Sequence, residues 1–164
     1  MDGTTSIGIY CDKVIYSVVL SNSGKIETHQ IEKHEGRLRH FKFIKYLKSL
    51  GELDLCVIVQ NEEAKPITNY LRREKKRPFL EIEFSPIPNQ PNYKENPDLP
   101  TIARKLDYKK KQNGVEFSED SELKEKIEKL GTGDEAIHMR TLDEHVLAWF
   151  AAAHGIFTLE GESG

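Results

Sequence analysis

The run Leu53-Asp-Leu-Cys-Val-Ile-Val-Gln60 constrains the fold more than any other stretch of the chain. It is rich in β-branched residues and almost continuously apolar, and a strand with no wet face must be covered on both sides. Such a strand belongs in the middle of a sheet with helices on each face, which points to an α/β domain.

The neighbouring segments supply the other layers. Ser6 to Tyr10 and Val14 to Leu20 read as two strands, and the turn composition Ser21-Asn-Ser-Gly24 leads into a third from about Lys25 to Ile31, so an antiparallel meander is expected first. Between Gly36 and Leu50 the spacing becomes helical, with Leu38, Phe41, Ile44 and Leu47 expected on the inner side and Gly51 as the stop. A second helix is predicted from about Glu63, with Pro66 in its first turn and Pro78 ending it after the basic run Arg72 to Arg77. Phe79 to Phe84 alternates Leu80, Ile82 and Phe84 against Glu81 and Glu83, the pattern of an edge strand with one wet face. Residues 85 to 114 hold five of the seven prolines and are expected to be irregular, with a short helix through Ile102 to Leu106. A charged amphipathic helix is predicted over Ser118 to Leu130. The last helix is expected to start at the capping box Thr141-Leu-Asp-Glu144 and to run through Trp149 and the alanines to Gly155 as the most buried helix.

At 164 residues the chain suits one domain spanning 1–164, interrupted by a proline-rich and charged insertion at about 85–140. It has no run of apolar residues long enough to span a bilayer and no signal-like start, so a cytoplasmic protein without a membrane partner is expected. Cys11 and Cys56 lie in strand-like apolar surroundings without metal-knuckle spacing, and are expected to be buried thiols. The net charge of −3 hides an asymmetry. Residues 65–112 carry 12 basic and 6 acidic side chains, whereas residues 113–164 carry 4 and 12. A basic block of this kind can steer a polyanion to one face.

The order β-β-β-α-β-α-β, an insertion, then a buried closing helix resembles the ribonuclease H-like superfamily, which includes Holliday-junction resolvases. The resemblance covers most of the chain outside 85–140. It implies a mixed five-stranded sheet, an antiparallel three-strand meander plus two parallel strands, flanked by helices. It also implies three converging acids that hold divalent metal: one on the first strand, one at the end of the fourth, one early in the last helix. On Ile7-Gly-Ile-Tyr-Cys-Asp12, Tyr10 occupies the first of these positions, and Asp12 follows two residues later with the same strand parity. At the end of the fourth strand stands Gln60, followed by Asn61, Glu62 and Glu63. Asp143 fits the third position directly.

Two hard cations that position a water and steady a leaving oxygen need several carboxylates. Asp12, Glu62 and Asp143 are therefore the candidate catalytic and metal-ligating residues, for Mg2+ or Mn2+. Each has an ordinary alternative: a turn residue for Asp12, and helix first-turn acids for Glu62, Glu63, Asp143 and Glu144. His138, His145 and His154 lie around the last helix without metal-ligand spacing. The candidate nucleic-acid contacts, to DNA or RNA, are Arg72, Arg73, Lys75, Lys76, Arg77, Lys109, Lys110 and Lys111, the second group beside Tyr108. Solvated helix ends explain the same runs. No glycine-rich phosphate loop, Gly-x-Ser-x-Gly or Cys/His nucleophile pattern is present, which disfavours nucleotide-driven and acyl-transfer chemistry. Two functional expectations follow. One is a metal-dependent nuclease. The other is a domain that has lost its acids, as Tyr10 and Gln60 suggest, and binds nucleic acid or a protein partner without catalysis.

Overall fold

Strands β1 (Thr4–Cys11) and β2 (Ile15–Asn22) form a hairpin in register from Thr4↔Asn22 to Cys11↔Ile15. Its turn is closed by the Asp12 amide donating to the Val14 carbonyl at 3.0 Å. Strand β3 (Ile26–His34) continues the meander antiparallel to β2, with a bulge at Val19/Leu20. The computed structural model describes residues 3–84, 97–112, 114–116, 125 and 144–160. The expected helix over Ser118 to Leu130, apart from Glu125, and the Thr141–Asp143 part of the capping box lie outside the described residues.

Helix α1 (Arg39–Ser49) then leads to β4 (Leu55–Val59), which is buried along its whole length as its composition requires. A 3-10 turn (Glu62–Ala64) runs directly into α2 (Lys65–Glu74), and β5 (Phe79–Ile82) follows at the sheet edge. Helix α3 (Leu99–Lys111), the two-residue strand β6 (Val115–Glu116) and helix α4 (Glu144–Leu159) complete the described elements. The sheet order is β5-β4-β1-β2-β3-β6, with β4 parallel to β1 and to β5. The expected mixed sheet is therefore present, and β6 adds a short parallel strand beside β3.

Two apolar layers sandwich this sheet. Ile7, Ile9, Cys11, Cys56 and Ile58 pack with Phe43 and Leu47 of α1 and Ile67 and Leu71 of α2. Val18, Leu20, Val57 and Val59 pack on the other face with α3 and α4. Alternation along β1 directs Ser6, Gly8 and Tyr10 to the α4 side. Gly8 is required there: a methyl group at this position would sit 2.0 Å from the Ala148 carbonyl oxygen and 2.4 Å from the Ala152 amide nitrogen. A methyl group at Gly155 would meet side-chain atoms of Ser6 and Val57. Small residues on strand and helix let the two backbones approach, and Trp149 anchors the seat by donating Nε1–H to Thr28 Oγ1 at 3.0 Å.

Two expectations are corrected. Leu38 and Phe41 do not face the core; they are 62% and 66% exposed. Leu38 sits at the N-cap, outside the helix, and the buried pair is Phe43 and Leu47. Phe41 precedes Phe43 by two residues, about 200° around the helix, so burying one exposes the other. Residues 97–112 of the proline-rich region are also more regular than the prolines imply. Asp98 caps α3, its Oδ1 accepting from the Thr101 amide at 2.7 Å, and Pro100 occupies the first turn. Leu99, Ile102, Ala103 and Leu106 join the α4-side core.

Candidate functional site

Because β1 and β4 are parallel neighbours, their carboxyl ends meet at one edge of the sheet, the usual place for a site in an α/β sheet. Asn61 ties the two ends together. Its Nδ2 donates to the Cys11 carbonyl at 2.8 Å, and its Oδ1 accepts from the Ala64 amide at 2.9 Å, capping the 3-10 turn.

The acids around this edge have separate environments. Asp12 is an exposed residue of the β1–β2 turn. Glu62 is 85% exposed and pairs with Lys65 at 3.0 Å. Glu63 is held by Arg39 at 2.5 Å, and its backbone carbonyl accepts from His40 Nε2 at 2.7 Å. Gln60 is exposed, with its amide donating to the Ile82 carbonyl. Asp143 lies outside the described residues.

Tyr10 stands at the centre of the edge, on the α4 face of β1. Burial raises its phenol pKa above the ordinary value, and the nearby carboxylates of Asp12 and Glu144 raise it further. Both carboxylates therefore act on one neutral phenol. Across the hairpin Tyr10 pairs with Tyr16, and His145 packs edge-on against the Tyr16 ring, centroids 4.7 Å apart at 81°. His145 Nε2 lies 3.2 Å from the Glu32 carbonyl, so the first turn of α4 is fastened to β2 and β3 directly above the carboxyl end of β1. Sequence reasoning missed this grouping of Tyr10, Tyr16, Glu144 and His145. The only signal was the cross-strand alignment of two tyrosines.

Divalent metal requires several oxygen donors converging on one point. Among the described residues no group of three or more His, Cys, Asp or Glu does so. The strand positions that would supply acids hold a neutral phenol and an amide, and Glu62 and Glu63 already pair with cations. The described donors do not fit a two-ion site.

The basic clusters lie at the other end of the molecule. Helix α2 carries the chain back to the start of β5, where Phe79 aligns with Cys56 near the start of β4. Arg72 pairs with Glu81 at 2.5 Å, and Arg77 pairs with Glu74 and donates to the Gly51 carbonyl. Arg73, Lys75 and Lys76 are exposed. Helix α3 ends next to the start of β3, where the Ile26 amide donates to the Gly114 carbonyl at 2.7 Å. There Lys109 pairs with Glu160 and Lys111 with Asp107, while Lys110 is exposed. Both clusters thus sit at the amino ends of the parallel strands, one near each edge of the sheet, away from Asp12 and Glu62.

No helix among the described residues is long and apolar enough to cross a membrane. No protein-family profile matches the chain, and no curated protein matches it by sequence. Among solved structures, Thermus thermophilus RuvC matches over 96% of this chain and 97% of its own, with a TM-score of 0.52 and 10% identity. T. thermophilus RuvC in complex with Holliday junction substrate matches over 96% of each chain, with a TM-score of 0.51 and 12% identity. At these identities the likeness is one of fold: the chain has a ribonuclease H-like α/β architecture.

Proposed function

We propose that this chain is a nucleic-acid-binding domain of ribonuclease H-like fold that recognises DNA or RNA without hydrolysing it by the two-metal route. The observation that carries this reading is Tyr10, whose half-buried neutral phenol occupies the β1 position where an acid would be needed. Gln60, an amide at the end of β4, agrees with it. The nucleic-acid part of the reading rests on fold likeness to a protein solved with a Holliday junction substrate and on the exposed cations Arg73, Lys75 and Lys76, which form no ion pair among the described residues.

A second reading has one specific support. Asp12 and Glu144 both act on Tyr10, so two carboxylates flank this edge; a nuclease would hold Mg2+ or Mn2+ with Asp12, Glu62 and Asp143. Incubation with labelled single- and double-stranded DNA and RNA, with Mn2+, Mg2+ or chelator, separates the two. Binding without cleavage, unchanged in Asp143→Asn, is expected. Cleavage abolished by chelator and by Asp143→Asn would overturn the proposal in favour of the nuclease. Absence of any nucleic-acid binding would leave a protein partner as the ligand class.

A further inference from the structure

An exposed cationic face lies on α1, where sequence periodicity suggests a buried stripe. Leu38 and Phe41 are two of three large hydrophobic side chains exposed among the described residues. Positions 38, 41, 42, 45 and 48 fall on successive turns of one side, so the exposed ring is flanked by Lys42, Lys45 and Lys48, all exposed. Arg37 extends the row at its start. From Gly36 to Gly51 the chain contains no acid.

Part of the α2 and α3 clusters is neutralised by neighbouring acids. Arg72, Arg77, Lys109 and Lys111 are paired with carboxylates. Arg37, Lys42 and Lys45 form no ion pair among the described residues, and Lys48 lies 5.6 Å from the Tyr70 ring. The surface is also rigid, because Phe43 and Leu47 are fully buried beneath it. Arg39 and His40 fasten its start to Glu63, so the row begins beside the carboxyl edge of β1 and β4. An open hollow of about 580 Å³ lies against Arg37, Leu38 and Lys42.

We infer that this face of α1 binds a single strand of nucleic acid, with a base stacked on Phe41 and the phosphates following Arg37, Lys42, Lys45 and Lys48. The inference rests on the nucleic-acid reading above and names its surface. A row of free cations selects a polyanion, and an exposed aromatic face among them selects one whose bases are unpaired. From residue 37 to residue 48 the row spans roughly 16 Å at the helical rise, long enough to follow several phosphates. A duplex keeps its bases stacked and offers Phe41 nothing. Only two apolar side chains are exposed here, too few for the wide apolar face of a membrane-surface helix.

Fluorescence anisotropy with labelled oligothymidylate, oligouridylate and a duplex of equal length tests this. The variants are Phe41→Ala, Lys42→Ala/Lys45→Ala and, on the α2 cluster, Arg73→Ala/Lys75→Ala/Lys76→Ala; each is exposed, and thermal melting checks folding. Phe41→Ala is expected to weaken single-strand binding about tenfold and leave duplex binding unchanged. Lys42→Ala/Lys45→Ala is expected to lower the slope of log affinity against log salt by about 1.4. Single-strand binding that only the α2 variant reduces would overturn the α1 surface while leaving the nucleic-acid reading intact. Wild-type protein that binds no nucleic acid would overturn both. Binding to phosphatidylserine vesicles that is lost in Phe41→Ala, without oligonucleotide binding, would assign the face to a lipid surface instead.

Discussion

Replacing Gly8 by alanine tests the seating of α4, on which the candidate site depends. The new methyl carbon would lie 2.0 Å from the Ala148 carbonyl oxygen and 2.4 Å from the Ala152 amide nitrogen. Both are helix backbone atoms, so no side-chain rotation relieves the overlap. Moving the first contact from 2.0 Å to an ordinary 3.4 Å lifts the helix by about 1.4 Å, and a gap of ~1 Å already forfeits up to half of each dispersion contact beneath it. The residues affected include Trp149, Ala152 and Ile156, all fully buried. We expect a loss at the upper end for overpacking, about 3 kcal/mol, which lowers Tm by roughly 6–12 °C in a chain of this size.

Urea unfolding followed by Trp149 fluorescence reads the effect, since Trp149 is the single tryptophan. Gly155→Ala is the internal comparison. Its new carbon would meet Ser6 Oγ at 2.1 Å and Val57 Cγ2 at 2.8 Å, both side-chain atoms, and the substitution gains about 1 kcal/mol of helix propensity. Its cost should be smaller, and Ser6→Ala should restore part of it while leaving Gly8→Ala unrescued. A Gly8→Ala protein within about 0.5 kcal/mol of wild type, the range of an uncoupled surface change, would refute the close approach of α4 to β1.

Four further outcomes are expected. Burial lowers the pKa of His34, which packs against Phe43 and Tyr46; the unfolded chain then binds the extra proton more readily, so this contribution is intact above the unfolded value near 6.5 and is lost as pH falls below it. Tm measured at pH 7.5 and 5.5 should fall less in His34→Phe than in wild type. Burial pushes the Cys11 and Cys56 thiols up to about 12, so alkylation at pH 8 should be negligible in the native protein and should track unfolding in urea. Asn61→Ala removes both the cap and the bond to Cys11 and should cost ~1–2 kcal/mol by chemical denaturation, whereas Asn61→Asp, which keeps only the acceptor, should cost less. Tyr10→Asp sets a third carboxylate beside Asp12 and Glu144, so Mn2+ should raise the Tm of this variant and not that of wild type; an equal rise in both would contradict the proposed loss of metal binding.

The sheet was legible because strand patterns reflect burial directly: β4 reads as covered on both faces, β5 as an edge, and both are so placed. The phase of α1 was not, because Phe41 and Phe43 are equally apolar and only the packing of Phe43 under His34 decides between them. The extent of α3 was obscured by prolines, although Asp98-Leu-Pro100 is a cap followed by a first-turn proline. Strand β6 is two residues long and carries no periodicity to detect. The site was half legible. Tyr10, Asp12 and Gln60 lie at the carboxyl edge where the strand pattern puts them, but sequence does not show that Glu62 and Glu63 turn toward Lys65 and Arg39, or that Tyr16 and His145 close the edge above Tyr10.

Strand geometry bears on what that edge can do. Tyr10 and Asp12 share a parity, but they differ in height by two residues, roughly 6.6 Å along the strand. The paired register of β1 and β4 ends at Ile9↔Ile58, and continuing it sets Asp12 level with Asn61, beyond the sheet. A carboxylate there cannot stand in for one at Tyr10; its partners must come from the loop rather than from β4. The loop acids are paired, but exposed pairs such as Glu62–Lys65 are worth at most about 1 kcal/mol and give way readily to a stronger ligand. The ion pairs alone therefore do not bar a metal. The obstacle is Tyr10: a phenol is neutral at working pH, burial and the carboxylates of Asp12 and Glu144 raise its pKa further, and its ring packs against the core on the α4 face where a carboxylate would have to stand.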